Sequence, residues 1–158
     1  MRSLLVTAML MAALLYPAAS AAEEPAAGIA DLQYFVQIYN ENIESAPGTV
    51  KNLLGSEKVL VRITGEDGSV YLAGFETEDA IIVSTFEGEI ENWTILVETR
   101  EDVISSIYDA EDPIAAFKDA LKNDDITVTG KSLAMKIKLG LALSSISFLN
   151  FFADLLFG

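Results

Sequence analysis

Residues 125–158 read DITVTGKSLAMKIKLGLALSSISFLNFFADLLFG, and the architecture turns on them. Ile126 and Val128 alternate with Thr127 and Thr129, the period of a strand. Gly130 ends the run, and Ser132 is placed to cap the long apolar helix expected after it. At the α-helical repeat, Gly140, Ser144, Ser147, Asn150 and Asp154 gather on one side of the last twenty or so residues. Leu141, Ala142, Ile146, Phe148, Leu149, Phe152, Ala153, Leu155 and Leu156 cover the wider opposite side. Leu143, Phe151 and Phe157 intrude near the polar edge. Such an apolar face exceeds what a small domain needs for its own core. It points to a helix that closes over something greasy.

Working back from this stretch, Asn123-Asp124-Asp125 turns the chain out of a preceding helix. That helix starts at Asp112-Pro113, a capping acid followed by proline at the first helical position. Ile114, Phe117 and Leu121 share one side of it. Before it, Thr99 is expected to cap a shorter helix with Glu101 and Asp102 in its first turn, where the helix dipole favours acids. Val103, Ile104, Ile107 and Tyr108 form its apolar stripe. Further upstream lie four strands, expected over 58–64, 69–75, 80–86 and 92–99. Val59, Val61 and Ile63 share one face of the first; Trp93, Ile95 and Val97 share one face of the fourth. Gly65-Glu66-Asp67-Gly68 joins the first two as a tight hairpin. Short antiparallel strands with one apolar face need helices to cover it. A first helix over 29–45 repeats Ile29, Leu32, Val36, Tyr39 and Ile43 at helical spacing, with Phe35 beside them, and ends at Ala46-Pro47-Gly48. Thr49 is placed to cap one further helical turn before Gly55.

The N-terminal residues have the three parts of an export signal. Arg2 is the charged start, residues 4–16 the apolar middle, and Ala19-Ser20-Ala21 the small-residue cleavage site. The expected division is a signal over 1–21, a linker over 22–28, a domain over 29–138 and an apolar amphipathic helix over 139–158. An uncleaved N-terminal anchor is the alternative for the first part. Export places the protein outside the cell or in its envelope.

Composition narrows the function classes. The chain has 158 residues, 51% of them hydrophobic, enough for one packed domain. It has no cysteine and no histidine. Disulfides, thiol nucleophiles, the commonest general base and the commonest metal ligand are therefore all missing. A formal charge of −14 argues against nucleic acid, which needs a basic footprint, and against broad adhesion to anionic lipid.

From the fourth strand onward the order of elements resembles the sterol carrier protein type 2 family. NWTILVET, REDVISSIYDA, EDPIAAFKDALKN, DITVTG and KSLAMKIKLGL follow one another as strand, helix, helix, strand and helix. The matching residues are Asp112-Pro113, Ala116-Phe117, the strand from Ile126 to Gly130, and Leu133-Ala134-Met135-Lys136-Ile137. Pro47-Gly48 before Leu53-Leu54 and the Asp67-Gly68 hairpin extend the resemblance to about residues 29–143. It implies an α+β domain that holds fatty acyl chains, sterols or other lipids between a five-stranded sheet and its helices. It also implies a C-terminal segment that helps to close the tunnel, and no catalysis. The chain departs from the family in ending Leu155-Leu156-Phe157-Gly158 where many members carry a peroxisomal tripeptide, in its export signal, and in its long phenylalanine-rich tail.

Other motifs carry less. Val128-Thr129-Gly130-Lys131-Ser132 ends like a phosphate-binding loop, but Asp125 stands where that loop needs glycine. Glu76-Thr77-Glu78-Asp79 and Glu87-Gly88-Glu89-Ile90-Glu91 offer carboxylates for calcium without a known ligand spacing, and read more simply as solvated surface. Asn92-Trp93-Thr94 is a glycosylation sequon at the start of an expected strand. The tail has three readings: a lid or core helix, a helix lying in a membrane interface, and a membrane span.

The expected fold is therefore α+β: a five-stranded, mostly antiparallel sheet covered on one face by helices, with a long apolar C-terminal helix. The expected function is an exported, non-catalytic lipid-binding or lipid-transfer protein for an acyl, sterol-like or isoprenoid ligand, without cofactor or metal. Its cavity walls are expected at Val61, Trp93, Ile95, Ile104, Ile107, Tyr108, Phe117, Leu121, Leu133 and Ile137. Phe148, Leu149 and Phe152 are expected to form a movable lid, with membrane contact through the last helix as a further expectation. The alternative is an envelope-anchored interaction module whose core is filled by its own side chains.

Overall fold

A computed structural model describes the backbone of residues 25–157. The export signal expected over 1–21 lies outside the described residues. Helix α1, Pro25–Asn42, begins inside the stretch read as linker, with proline at its first position. It tightens into a 3-10 turn, Ile43–Ser45, and α2 follows as Gly48–Leu53. Thr49 does not cap α2: Pro47 occupies the cap position, and the Thr49 hydroxyl is buried without a hydrogen-bond partner.

Five strands follow the expected order: β1 Lys58–Thr64, β2 Val70–Glu78, β3 Ile81–Glu87, β4 Ile95–Arg100 and β5 Thr127–Gly130. They form one sheet in the order β3-β2-β1-β4-β5. The β1–β4 pair is parallel and the other three pairs are antiparallel, so the sheet is mostly antiparallel. Asp67 sets the β1–β2 hairpin by accepting from the Ser69 N–H at 2.9 Å, and Gly68 supplies φ +82°. Hydrogen bonding from the Ser69 hydroxyl, and then from its N–H, holds the Asp67 carboxyl below its ordinary pKa. Strand β4 starts at Ile95 rather than Asn92. Upstream, the Thr94 hydroxyl accepts the Lys58 N–H at 2.9 Å, which holds the chain in a turn.

Helix α3, Glu101–Tyr108, and helix α4, Pro113–Lys122, come between β4 and β5. Thr99 does not cap α3; it lies in β4 and donates its hydroxyl to the Asp125 carbonyl at 3.0 Å. Asp112 caps α4 as expected, accepting from Ala115 N–H at 3.0 Å. Ser132 likewise caps α5, Leu133–Leu143, accepting from Met135 N–H at 3.0 Å.

The apolar tail is not one helix. It breaks after Leu143 and restarts as α6, Ile146–Phe157, with an angle of 79° between the two axes. The two serines explain the break. Ser144 turns its hydroxyl back onto the Gly140 carbonyl at 2.7 Å, closing α5. Ser145 accepts the Phe148 N–H at 3.3 Å, opening α6 as its cap. Among the described residues no single helix is long and apolar enough to cross a membrane.

Helix α1 is pinned to the β2–β3 hairpin. Tyr39, fully buried, donates its hydroxyl to the Ala80 carbonyl at 2.8 Å, and burial pushes that hydroxyl's pKa up. Asn40 bonds both the N–H and the carbonyl of Ile82 at 2.9 Å, as a neighbouring strand would. Asp79 and Ala80 form the hairpin turn with φ of 49° and 65°, a conformation unfavourable for residues with a side chain. The Tyr39 bond therefore holds a strained turn as well as satisfying a buried carbonyl. Tyr39→Phe is expected to lower unfolding free energy by about 1–2 kcal/mol, read from urea denaturation followed by circular dichroism.

Candidate functional site

The covered face of the sheet is built in cross-strand rows. One row runs Phe75, Val59, Ile95, Gly130; the next runs Ala73, Val61, Val97, Val128; a third holds Tyr71, Ile63 and Thr99. The middle row has only short side chains. Above it is an apolar hollow of about 270 Å³. The sheet forms its floor. Leu32 and Phe35 of α1 and Leu53 and Leu54 around α2 close one side. Phe117 and Leu121 of α4 close another, and Leu139 and Leu143 of α5 a third. Phe148, Leu149, Phe152 and Leu156 of α6 form the roof. Tyr71 carries the one polar side chain on this wall among the described residues.

Val61, Val97 and Val128 are only half-buried, although they face inward from central or covered strands. Their free surface is that of the hollow. The bulky residues sit at its margins. Phe35 and Phe75 stack at 6.0 Å between ring centres. Phe148 and Phe152 meet at 5.0 Å, and Phe151 meets Tyr39 edge-on at 6.3 Å. These aromatic contacts prop the helices away from the valine floor. One polar tie crosses the roof: Lys118 of α4 donates to the Asn150 side-chain oxygen of α6 at 2.7 Å.

The structure brings together Val61, Ile95, Phe117, Leu121, Phe148, Leu149 and Phe152 from the expected set. It places the other six elsewhere. Ile104 is buried against Ile63 beneath the wall, and Ile107 belongs to a separate cluster with Val103, Ala120 and Ile126. Tyr108, half-buried at the end of α3, is not on the wall. Trp93 precedes β4 and stays outside, where Lys131 lies 4.8 Å from its ring centre. Leu133 and Ile137 point outward from α5, because Met135, Leu139 and Ala142 form its buried side.

The sequence reading missed Tyr71, Ala73, Phe75, Val97 and Val128 as wall residues. Strand alternation together with the hairpin register could have found them, since each pairs across from a residue already on the apolar face. A second hollow, of about 430 Å³, is polar and lined by Ser56–Lys58, Glu76–Asp79, Asn92 and Thr94. No three acidic groups converge to hold a metal ion among the described residues.

No family model matches the sequence, and no curated protein matches it. Solved structures similar in fold include several sterol carrier proteins. A conserved hypothetical protein of Thermus thermophilus, described as possibly a sterol carrier protein, is 10% identical. The alignment covers 80% of this chain and 86% of that one, with a TM-score of 0.49. A crystal structure of sterol carrier protein 2 is 9% identical, covering 73% and 92%, with a TM-score of 0.45. Palmitated SCP2L2 of Aedes aegypti is 13% identical, covering 72% and 95%, with a TM-score of 0.41. At these values the likeness concerns the arrangement of elements, and function has to be read from the hollow itself.

Phe148 is buried and ties α6 to the core cluster. Phe148→Ala is expected to cost about 3 kcal/mol of stability, read from the midpoint of urea unfolding.

Proposed function

We propose that this chain is a non-catalytic carrier of a lipid with a long apolar body: an acyl chain, a sterol-like ring system or an isoprenoid. The observation that carries this reading is the row Ala73, Val61, Val97, Val128, whose three valines face inward yet are incompletely packed beneath the helices. The wall presents methyl, methylene and phenyl groups, which recognise hydrocarbon by excluding water and provide no nucleophile or base. Each buried methylene contributes about 0.8 kcal/mol, so about ten give roughly 8 kcal/mol before ordering costs, the range of micromolar binding. Helix α6 is the lid in this reading. It follows the Ser144-Ser145 break, supplies the roof, and is tied to α4 by the Lys118–Asn150 bond. The signal-like N-terminal sequence supports a carrier that works outside the cell or in the envelope.

Raising the floor tests the reading. Val61→Phe and Val97→Phe place a ring in the hollow. For a carrier, affinity for a fluorescent long-chain fatty acid is expected to fall at least about tenfold while stability is kept, since the added ring replaces the guest. For a core already filled by its own side chains, the same variants overpack and lose about 1–3 kcal/mol, and the wild type shows no saturable binding. Native mass spectrometry of the purified protein gives a second readout: a hydrocarbon adduct in the wild type that is absent from both variants.

A further inference from the structure

The outward side of α5 is apolar. Leu133, Ile137 and Leu141 are 75%, 58% and 69% exposed, and Ile146 at the start of α6 is 73% exposed. The first three are spaced by four residues and form one ridge. At roughly 100° per residue, Gly140, Leu133, Ile137, Leu141 and Ala134 share a continuous exposed arc. Lys136 borders that arc on one side and Lys138 on the other. Met135, Leu139 and Ala142 lie opposite, packed into the domain.

Charge is distributed unevenly in the same region. The chain carries 24 Asp and Glu against 10 Lys and Arg, yet no acid lies between Asp125 and Asp154. That span holds Lys131, Lys136 and Lys138. Lys138 is 4.0 Å from Glu57 and Lys131 is bonded to the Glu91 carbonyl, whereas Lys136 has no ion-pair partner among the described residues. Lys136, on one border of the apolar arc, can lay its stem along hydrocarbon and extend its ammonium group to phosphates, while Lys138 on the other border faces Glu57.

We propose that this ridge docks the protein on a bilayer surface bearing anionic headgroups. A groove on another protein would fit an apolar ridge equally well, but the flanking lysines and the acid-free span select a negative, headgroup-lined surface. The acidic remainder of the protein is repelled from such a surface, which leaves this face as the one that can approach. In its purpose the inference rests on the carrier reading: the opposite side of α5 contributes Leu139 and Leu143 to the hollow, so docking brings the cavity wall to the lipid source.

The test is co-sedimentation of the full chain with phosphatidylcholine vesicles, with and without phosphatidylglycerol. The wild type is expected to partition at least about tenfold better onto the anionic vesicles. I137Q/L141Q should lose at least about tenfold of that partitioning, and K136E about fivefold, with binding to neutral vesicles unchanged by K136E. Both variants should keep the wild-type circular dichroism and fatty acid affinity. Failure of docking is thereby separated from failure of the carrier reading. The chain has no cysteine, so I137C labelled with a polarity-sensitive dye reports the ridge directly, and a blue shift on anionic vesicles is expected. Three results overturn the proposal. One is unchanged partitioning of I137Q/L141Q, as when residues 4–16 carry the binding. Another is an unshifted label on bound protein. The third is a solution dimer that I137Q/L141Q dissolves, which assigns the ridge to a second copy.

Discussion

A run of four short side chains across the middle of a sheet constrains everything above it. Ala73, Val61, Val97 and Val128 sit side by side on neighbouring strands, fixed there by ladder hydrogen bonds. Helices resting on such a floor could pack down only if their own side chains were long at that point. Instead, Phe35, Phe75, Phe148 and Phe152 meet one another at the margins and hold the layers apart. Between floor and helices lies the apolar hollow of about 270 Å³. In the carrier reading proposed above, a guest would rest on this floor beneath α6.

Such a hollow needs a frame that does not collapse into it. The frame here is tied at its periphery by polar contacts that do not enter the cavity. Tyr39 and Asn40 hold α1 to the β2–β3 hairpin through the Ala80 and Ile82 backbone. Gly74 lets the Phe86 ring lie close on the far face of the sheet, where any side chain at that position would collide with it and with the Val59 carbonyl. Leu60, fully buried, packs on that far face too. The apolar hollow lies on the other, helical side of the sheet.

Much of this frame was legible in the residues. Asp67-Gly68 announced the first hairpin, Asp112-Pro113 and Ser132 announced two helix starts, and Val59-x-Val61-x-Ile63 announced the inward face. These are local signals, in which a side chain bonds or packs within a few positions of itself. The errors share a cause of the opposite kind. Trp93 continued the alternation of Ile95 and Val97, but Lys131, brought from beyond β5, draws it to the outside. Thr99 had the form of a cap, yet its hydroxyl goes to the Asp125 carbonyl, in the turn between α4 and β5. Leu133 and Ile137 had the right hydrophobicity for a wall. On α5 it is instead Met135 that turns inward, against Gly130, whose missing side chain leaves room for it and for the Lys136 backbone. The valine row was visible only once strand register was known, because no single strand shows more than one member of it.

The tail illustrates the same division. Read as one continuous helix, its apolar surface is too large for the domain's own core, and a lid, an interfacial helix and a membrane span all fit it. Ser144 sets its hydroxyl beside its own N–H on the Gly140 carbonyl, Ser145 accepts the Phe148 N–H that a continuous helix would pair internally, and the chain bends by 79° between two separate helices. The apolar excess is thereby divided. Helix α6 turns Phe148, Leu149 and Phe152 toward the hollow, whereas α5 keeps only a narrow buried edge and leaves Leu133, Ile137 and Leu141 facing water. A straight helix would carry both apolar surfaces on one axis, and any contact made by one end would be transmitted rigidly to the other. With the bend, α5 stays seated on α2 while α6 forms the roof on a separate axis, so the lid and docking roles proposed above would fall to two different helices.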